Sequence, residues 1–202
     1  MIKKYQNFIF DFDGTIANSN RFHQTAFKKV LLLVNINNFN YENLKGLKTE
    51  DAFKKLGIKE NIYNLSKLKR KYYRKDIKKI QLYKNCKKTL TLLKNRKKKI
   101  FIVSGSSKEN INYLLKKEKI RVNGIISRDN CKFSKPNKMP FKKCLDKFKL
   151  KKKETIVIED AITGIQSAKK NNLKVIGINN IKIKNFSDYY VHNFYFFLKK
   201  FF

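Results

Sequence analysis

Short apolar runs alternate with helical patterns along most of this chain, and that alternation limits the possible folds more than any other feature. Four runs of mainly β-branched or aromatic residues lie at 8–12, 100–104, 155–159 and 174–178, with a weaker run at 122–127. Apolar residues at helical spacing occupy 86–96, 109–119, 139–148 and 161–171, and a short strand and an aromatic helix follow after 187. Continuous apolar strands separated by helices are typical of parallel sheets covered on both faces. The sequence therefore predicts an α/β fold.

Residues 17–82 have a different character. They show helical periods and no convincing strand, and they directly follow the first predicted strand. We therefore predict a helical insertion, and we call residues 17–82 the cap segment. Residues 1–16 and 83–202 are predicted to form the α/β domain and are called the core segment.

The formal charge of +34 has two interpretations. A strongly basic chain can bind nucleic acid or another polyanion. Here, however, lysines are spread along the whole chain, and Lys, Asn, Ile and Phe are enriched together, as an AT-rich genome would produce. We interpret the charge as compositional bias and expect no specific nucleic-acid partner.

The cysteine pattern and the lengths of the apolar runs indicate where in the cell the protein is expected. Cys86, Cys131 and Cys144 form neither a CxxC pair nor a zinc-like pattern with histidine, which favours reduced thiols in a cytosol. No apolar run has the length of a signal peptide or a membrane span. We therefore expect a cytoplasmic protein without a membrane partner.

Polar residues end three of the predicted strands. Asp11 and Asp13 end the first strand, Ser104 ends the second, and Glu159 and Asp160 end the strand at 155–159. Ligands of open α/β sheets bind at the carboxyl ends of the strands, so we expect these residues to converge. Only 15 acidic residues are present in the whole chain, which makes this concentration of carboxylates unusual.

These residue types suit phosphoryl transfer. Clustered carboxylates repel one another, and oxygen ligands without His or Cys favour a hard cation, most plausibly Mg²⁺. Ser104 and the amides after it, beginning with Gly105, start a predicted helix and can bind an anion. Lys135, followed by Pro136, adds a positive charge suited to phosphate. A metal, an anion site and spare carboxylates together indicate phosphoryl transfer.

Four motifs in order, DFDGT, FIVSGSS, SKP and IVIEDAITGIQSAKKNNLKVIGI, resemble the haloacid dehalogenase superfamily. The resemblance extends from about residue 2 to 191. It implies a Rossmann-like core with an inserted helical cap, as in the subgroup that contains phosphoglycolate phosphatase and β-phosphoglucomutase. It also implies a Mg²⁺-dependent phosphoric monoester hydrolase acting on a small phosphorylated metabolite, such as a sugar phosphate or phosphoglycolate.

The resemblance further implies a role for each motif residue. Asp11 would be the nucleophile that forms an aspartyl-phosphate, and Asp13 the general acid and then the base. Relatives that remove halogen lack an acid at the position of Asp13, so its presence favours phosphate chemistry. The implied metal ligands are the side chain of Asp11, the backbone carbonyl of Asp13, Asp160, and Glu159 directly or through water. The implied phosphate-binding and loop-supporting residues are Ser104, Gly105, Lys135 and Thr15.

Substrate choice is expected to depend on the cap segment. The loop at 44–51 matches the part that enters the active site in relatives, so Lys45 and Lys48 are candidate substrate contacts. His23 matches a histidine near the leaving group in some relatives. Phosphomutase relatives carry an arginine where this chain has Thr49, so we favour a phosphatase and keep a β-phosphoglucomutase-like activity as the alternative.

Two hypotheses from other functional classes remain open. One is a catalytically weak nucleic-acid-binding protein on the same scaffold, against which the intact motif residues argue. The other is an assembly protein that uses the aromatic stretch at 194–202, although such an end more often packs on its own core. We expect a monomer or a weak dimer.

Overall fold

The computed structural model describes residues 4–202, so the predicted first residues of the core segment, 1–3, lie outside the described part. The strands are β1 (Asn7–Phe10), β2 (Lys99–Val103), β3 (Gly124–Ile126), β4 (Thr155–Glu159), β5 (Lys174–Ile178) and β6 (Tyr189–Val191). The α-helices are α1 (Asn20–Leu32), α2 (Thr49–Lys55), α3 (Ile62–Lys75), α4 (Cys86–Asn95), α5 (Lys108–Lys117), α6 (Met139–Lys147), α7 (Ile162–Lys169) and α8 (Phe194–Phe201).

The six strands form one sheet in the order β3-β2-β1-β4-β5-β6, and every pairing is parallel. The register places Ile9 of β1 opposite Phe101 of β2 and Val157 of β4. The strand order reverses at β1, because β2 and β3 lie on one side of it and β4 to β6 on the other. The α/β prediction is confirmed, and the reversal opens a crevice at the carboxyl ends of β1, β2 and β4.

Both faces of the sheet are buried, as the continuous apolar strands predict. Phe8 and Phe10 face one hydrophobic cluster, whereas Ile9 between them faces the other. All three side chains are fully buried. Side chains alternate between the faces of a strand, so a strand with helices on both sides is apolar along most of its length.

Two strands begin and end earlier than predicted. The predicted strand at 8–12 is observed as Asn7–Phe10, and the one at 100–104 as Lys99–Val103. The amide of Asp11 still bonds to the Ile158 carbonyl, and that of Ser104 to the Ile126 carbonyl. Each residue is therefore the first beyond its strand, where the chain leaves the sheet and the side chain is free to turn into the crevice.

The cap segment contains α1, α2 and α3, in agreement with the helical prediction. A third hydrophobic cluster, built around Phe27, Leu31 and Phe53, lies within it. The chain enters and leaves the segment side by side, because Ala17 pairs antiparallel with Leu82. On either side of this pair, Asn18 N–H donates to Gln81 O at 2.9 Å and Tyr83 N–H to Ile16 O at 3.0 Å. The division into two domains remains a prediction.

The C-terminal helix α8 packs on the core segment through Phe194, Phe197 and Phe201, all buried. Tyr195 and Phe196 point outward. None of the helices within residues 4–202 combines the length and apolar character that crossing a bilayer requires.

Candidate active site

Asp11 lies at the floor of the crevice, where it is 4% exposed. Nζ of Lys135 donates to its Oδ1 at 2.6 Å and also to Oε1 of Glu159 at 2.5 Å. Burial raises the pKa of Asp11, and the charge of Lys135 opposes that rise. Burial alone would lower the pKa of Lys135, but the two carboxylates outweigh it and raise that pKa. The ammonium group is therefore kept charged between two acids.

Asp160 is held against the loop that follows β1. Its Oδ1 accepts from the Thr15 hydroxyl at 3.3 Å, and its Oδ2 accepts from Asn20 Nδ2 at 3.2 Å. Gly14 has a φ of +86°, and a Cβ placed there would lie 2.1 Å from Oδ2 of Asp160. Only glycine allows both this backbone conformation and this approach. Thr15 thus connects the loop directly to an acid of the site.

Carboxylate oxygens of Asp11, Glu159 and Asp160 lie within 4.8 Å of one another. Burial, with neighbouring negative charge, raises the pKa of Glu159 to about 8 and that of Asp160 to about 7. Buried carboxylates this close together are costly to ionise unless a cation balances them. Hard oxygen ligands of this kind fit Mg²⁺. The side chain of Asp13 lies outside this cluster of carboxylates. Its backbone carbonyl is therefore the group of Asp13 that remains a candidate metal ligand.

The side chain of Asp13 instead lies between the core and cap segments and accepts hydrogen bonds from both. Its Oδ1 accepts from the Ser19 hydroxyl at 2.7 Å and lies 2.9 Å from Nε2 of His23. Its Oδ2 accepts from the hydroxyls of Ser106 at 2.5 Å and Ser104 at 3.4 Å. Burial alone would raise the pKa of Asp13, but His23 and these hydroxyls bring it well below its ordinary value. Asp13 is therefore a well-supported carboxylate at neutral pH.

A buried lysine of α3 completes a chain of polar groups that leads to Asp13. Nζ of Lys69 lies 2.7 Å from Nδ1 of His23, whose ring stacks on Tyr73 with centroids 4.0 Å apart. Burial and the nearby Lys69 lower the pKa of His23, and burial lowers the pKa of Lys69 to about 7. We assign the imidazole as neutral, accepting from Lys69 at Nδ1 and donating to Asp13 at Nε2. A proton can pass along this chain.

A cavity of about 60 Å³ lies between these groups. The core segment lines it with Asp11, Asp13, Ser104, Gly105, Ser106, Ser107, Asn110 and Arg128, and the cap segment with His23, Phe27, Tyr41, Leu44, Gly46, Leu47, Thr49, Lys69, Arg70 and Tyr73. The two segments therefore enclose one site.

The sequence profile of the haloacid dehalogenase-like hydrolase family matches residues 8–178, which include Asp11, Ser104, Lys135 and Asp160. The chain belongs to this family. The predicted family, and with it the prediction of a hydrolase, is confirmed.

Solved structures of haloacid dehalogenase-like proteins superpose on nearly the whole chain. A hydrolase from Pseudomonas syringae aligns with a TM-score of 0.88 at 22% identity, covering 96% of this chain and 97% of that one. β-Phosphoglucomutase from Clostridium difficile aligns at 0.83 and 25% identity, covering 94% and 92%. A predicted phosphoglycolate phosphatase from Haemophilus somnus aligns at 0.77 and 20% identity, covering 99% of each chain. The Rossmann-like fold is therefore shared by proteins of this family.

Of the three residues predicted in the cap segment, only His23 lines the cavity. Nζ of Lys45 lies 2.8 Å from Glu42 and 3.6 Å from Asp160. Lys48 donates to the backbone carbonyls of two residues of the core segment, Cys131 and Lys132. Both lysines tie the loop at 44–51 to neighbouring groups, and Lys45 does so beside an acid of the site. Their contacts with a substrate remain predictions.

Sequence reasoning missed the cations that do line the cavity, which are Lys69, Arg70 and Arg128. The chain has 49 lysines and arginines, so no single one stands out. One signal was present. Leu65, Lys69 and Tyr73 are spaced by four residues and share the buried face of α3, which places Lys69 where an apolar residue is expected.

Proposed function

We propose that this hydrolase is a Mg²⁺-dependent phosphatase that cleaves a small phosphomonoester through an aspartyl-phosphate on Asp11. One observation carries the proposal. The Asp11 carboxylate lies at the floor of a small cavity, with one oxygen held by Lys135 and two further buried carboxylates beside it. This arrangement suits attack by a carboxylate on a phosphorus atom better than attack by water alone.

Asp11 is oriented for the first step. Its Oδ1 is bound to Lys135, and within residues 4–202 no other side chain donates to its Oδ2. Oδ2 is the oxygen we assign to attack, forming a bond to phosphorus as the bond from phosphorus to the leaving oxygen breaks. Ser104 and the amide of Gly105 begin the turn before α5 and lie on the cavity wall, where they can hold phosphoryl oxygens.

The residues proposed to hold Mg²⁺ are the side chains of Asp11 and Asp160, the carbonyl of Asp13, and Glu159 directly or through water. When bound, the ion supplies positive charge that offsets the carboxylates and the phosphoryl oxygens. Lys135 already balances part of this charge, because it is paired with both Asp11 and Glu159.

Proton transfer is assigned to Asp13. Its carboxyl group gives a proton to the leaving oxygen, and the resulting carboxylate then takes a proton from the water that attacks the aspartyl-phosphate. That attack breaks the bond between phosphorus and Oδ2 and restores Asp11. Because the pKa of Asp13 is low, it needs a nearby proton source for the first step. The chain from Lys69 through His23 is suited to supply it.

The substrate class follows from the size and charge of the site. A small enclosed cavity with cationic walls favours a small phosphorylated metabolite, of the sugar phosphate or phosphoglycolate type. The structural similarity to a β-phosphoglucomutase at 25% identity supports a phosphomutase as the second candidate. Arg70 and Arg128 lie on the cavity wall with Thr49 and could hold the second phosphate that a mutase requires.

The test measures phosphate release from a panel of phosphorylated metabolites with Mg²⁺. We expect turnover of at least one substrate, and a loss of about 10³-fold or more in Asp11→Asn because the nucleophile is removed. Asp146→Asn is the matched control, since that carboxylate is 61% exposed on α6. A mutase would instead isomerise a sugar phosphate after priming with its bisphosphate. Absence of both activities from the wild type would contradict the proposal.

A further inference from the structure

Two arginines from different segments meet at the opening of the cavity. Arg70 belongs to α3 of the cap segment, and Arg128 begins the short 3₁₀ turn Arg128–Asn130 after β3. Both line the small cavity, and both also line a larger groove of about 1040 Å³ between α3 and the start of α5. Ser107 and Asn110 are shared in the same way. The arginines therefore mark the boundary between the two spaces.

The two guanidinium groups converge on one carboxylate of the cap segment. Oε1 of Glu50 accepts from Arg70 at 2.7 Å and from Arg128 at 3.3 Å. Oε2 of the same carboxylate is buried without a hydrogen-bond partner within residues 4–202. Burial would raise the pKa of Glu50, but a backbone hydrogen bond and the two arginines bring it below its ordinary value. The carboxylate is thus ionised, but only one of its two oxygens has a hydrogen-bond partner within residues 4–202.

The arginines retain most of their hydrogen-bonding capacity. A guanidinium group carries five N–H donors. Each of these two uses one donor in a hydrogen bond within residues 4–202, the one to Glu50. Among the described residues, the only other acid paired with either is Asp129, which lies 3.7 Å from Nε of Arg128 and accepts from the Lys108 amide. Donors in this fork geometry are suited to bidentate binding of a carboxylate or phosphate.

The small cavity and the larger groove adjoin each other. Arg70, Ser107, Asn110 and Arg128 line both spaces. A leaving group attached to a phosphoryl group at Asp11 can therefore extend past the two arginines towards the groove. The rest of the groove is mainly basic, with Lys67, Lys71, Arg74 and Lys75 along α3.

We propose that Arg70 and Arg128 form a binding site for a second anionic group, a carboxylate or a second phosphate, carried by the leaving group of the substrate. This inference rests on the proposed function and narrows its substrate class to phosphomonoesters with two anionic ends. In the free protein, Glu50 occupies this site with one oxygen. The bound substrate shares or displaces that contact.

The experiment compares three ligands by calorimetry in the Asp11→Asn background with Mg²⁺, so that turnover does not interfere. The ligands are 2-phosphoglycolate, glucose 1,6-bisphosphate and ethyl phosphate, which has no second anionic group. We expect at least one of the first two to bind tenfold or more tightly than ethyl phosphate. Arg128→Gln and Arg70→Gln should each reduce that ratio about tenfold, the effect of losing a hydrogen bond between charged groups.

Arg121→Gln is the matched control, because it removes the same charge at an exposed position. Arg121 lies before β3 and Arg128 after it, so the two arginines are at opposite ends of the same strand. It should leave the ratio within about twofold. Glu50→Gln, which removes the competing charge but keeps the shape, should increase the ratio. A ratio unchanged by the arginine substitutions, or lowered by Glu50→Gln, overturns the inference.

The two proposals fail in different ways. Binding of all three ligands with equal affinity overturns the second anion site but leaves the phosphatase proposal standing. Binding of none of them, together with no phosphate release by the wild type, overturns both.

Discussion

The core and cap segments contribute to the same site by different structural routes. In the core segment, Asp11 and Ser104 are the first residues beyond β1 and β2, and Glu159 ends β4. Parallel strands of one sheet end at the same edge, so topology alone brings these groups together. In the cap segment, Lys69 and Arg70 lie in the middle of α3, and their positions depend on how that helix is rotated and docked.

The two segments also differ in what holds them. The core segment is built on two hydrophobic clusters, one on each face of the sheet. The cap segment has a third cluster of its own, and it also contributes Ala26, Tyr73 and Ile80 to one of the first two. Several contacts that join them near the site are polar, such as Ser134 to Asp51 at 2.5 Å and Thr163 to the Lys45 carbonyl at 2.6 Å. Polar contacts exchange with water at small net cost. The comparison leads us to predict that the core segment keeps its structure around the catalytic residues, whereas the cap segment can separate from it.

The largest expected effect comes from a substitution in the core segment. Lys135→Met would leave Asp11 and Glu159 buried without their shared cation. We expect the free energy of unfolding to fall by about 3–5 kcal/mol in EDTA, and catalysis to fall about 10²- to 10³-fold. Chemical denaturation and phosphate release measure the two effects. Lys142→Met on the surface of α6 is the control, and an equal, small effect of both variants would contradict the assignment.

The next prediction tests whether the cap segment is separable. Phe53 is fully buried in the cap cluster, so Phe53→Ala should cost about 3–5 kcal/mol. We expect hydrogen exchange to accelerate in α1, α2 and α3 while β1, β2 and β4 keep their protection. Phe141→Ala, in the core cluster on one face of the sheet, should instead expose the strands. Uniform loss of protection in both variants would show that the segments unfold together.

A third prediction uses the pH dependence of the acidic cluster without metal. The pKa of Asp160 is raised from 3.8 to about 7 in the folded chain, so the protonated form stabilises the fold, and this contribution is lost as the pH rises through 7. Relative to wild type, Asp160→Asn should therefore gain about 2 kcal/mol of stability between pH 5.5 and pH 8.5 in EDTA.

Denaturant titrations at the two pH values measure this gain. Mg²⁺ should reverse the order by stabilising the wild type at pH 8.5 more than the variant. If the difference between the two proteins were the same at both pH values, Asp160 would not carry the raised pKa.

The smallest expected effect concerns the proton chain that the cap segment brings to Asp13. His23→Asn should lower kcat about tenfold. It should also move the acidic limb of the pH profile of kcat upwards, because His23 helps to hold the pKa of Asp13 low. The other histidine, His192, provides the control His192→Asn. A lower kcat with an unshifted profile would limit His23 to packing.

The same contrast explains what the sequence could predict. Asp11, Asp13, Ser104, Glu159 and Asp160 were identifiable because each follows or ends a recognisable strand. The first two strands were predicted slightly too far along the chain. Phe12 extends the apolar residues of the first strand beyond its sheet pairing, and Ser104 was counted as the last residue of the second. This error did not affect the site, since the residues beyond the strands are the ones that converge.

Arg70 and Arg128 could not be identified in this way. They are 58 positions apart and meet only because α3 docks over the turn after β3. Helical spacing predicts which residues share a face of α3, but not which part of the core segment that face meets. For the same reason the sequence did not predict the contact of Lys48 with the Lys132 carbonyl.

The crossing at Ala17 and Leu82 has a mechanical consequence. If the cap segment rotates relative to the core segment, two connections that run side by side and are joined by hydrogen bonds would restrict that rotation mainly to one axis. His23, Lys69 and Arg70 all lie in the cap segment and would turn together. A single angle would therefore set the proton supply, the grip on the far end of the substrate and the exclusion of water together. Stiffening or loosening this one pair would change all three in concert.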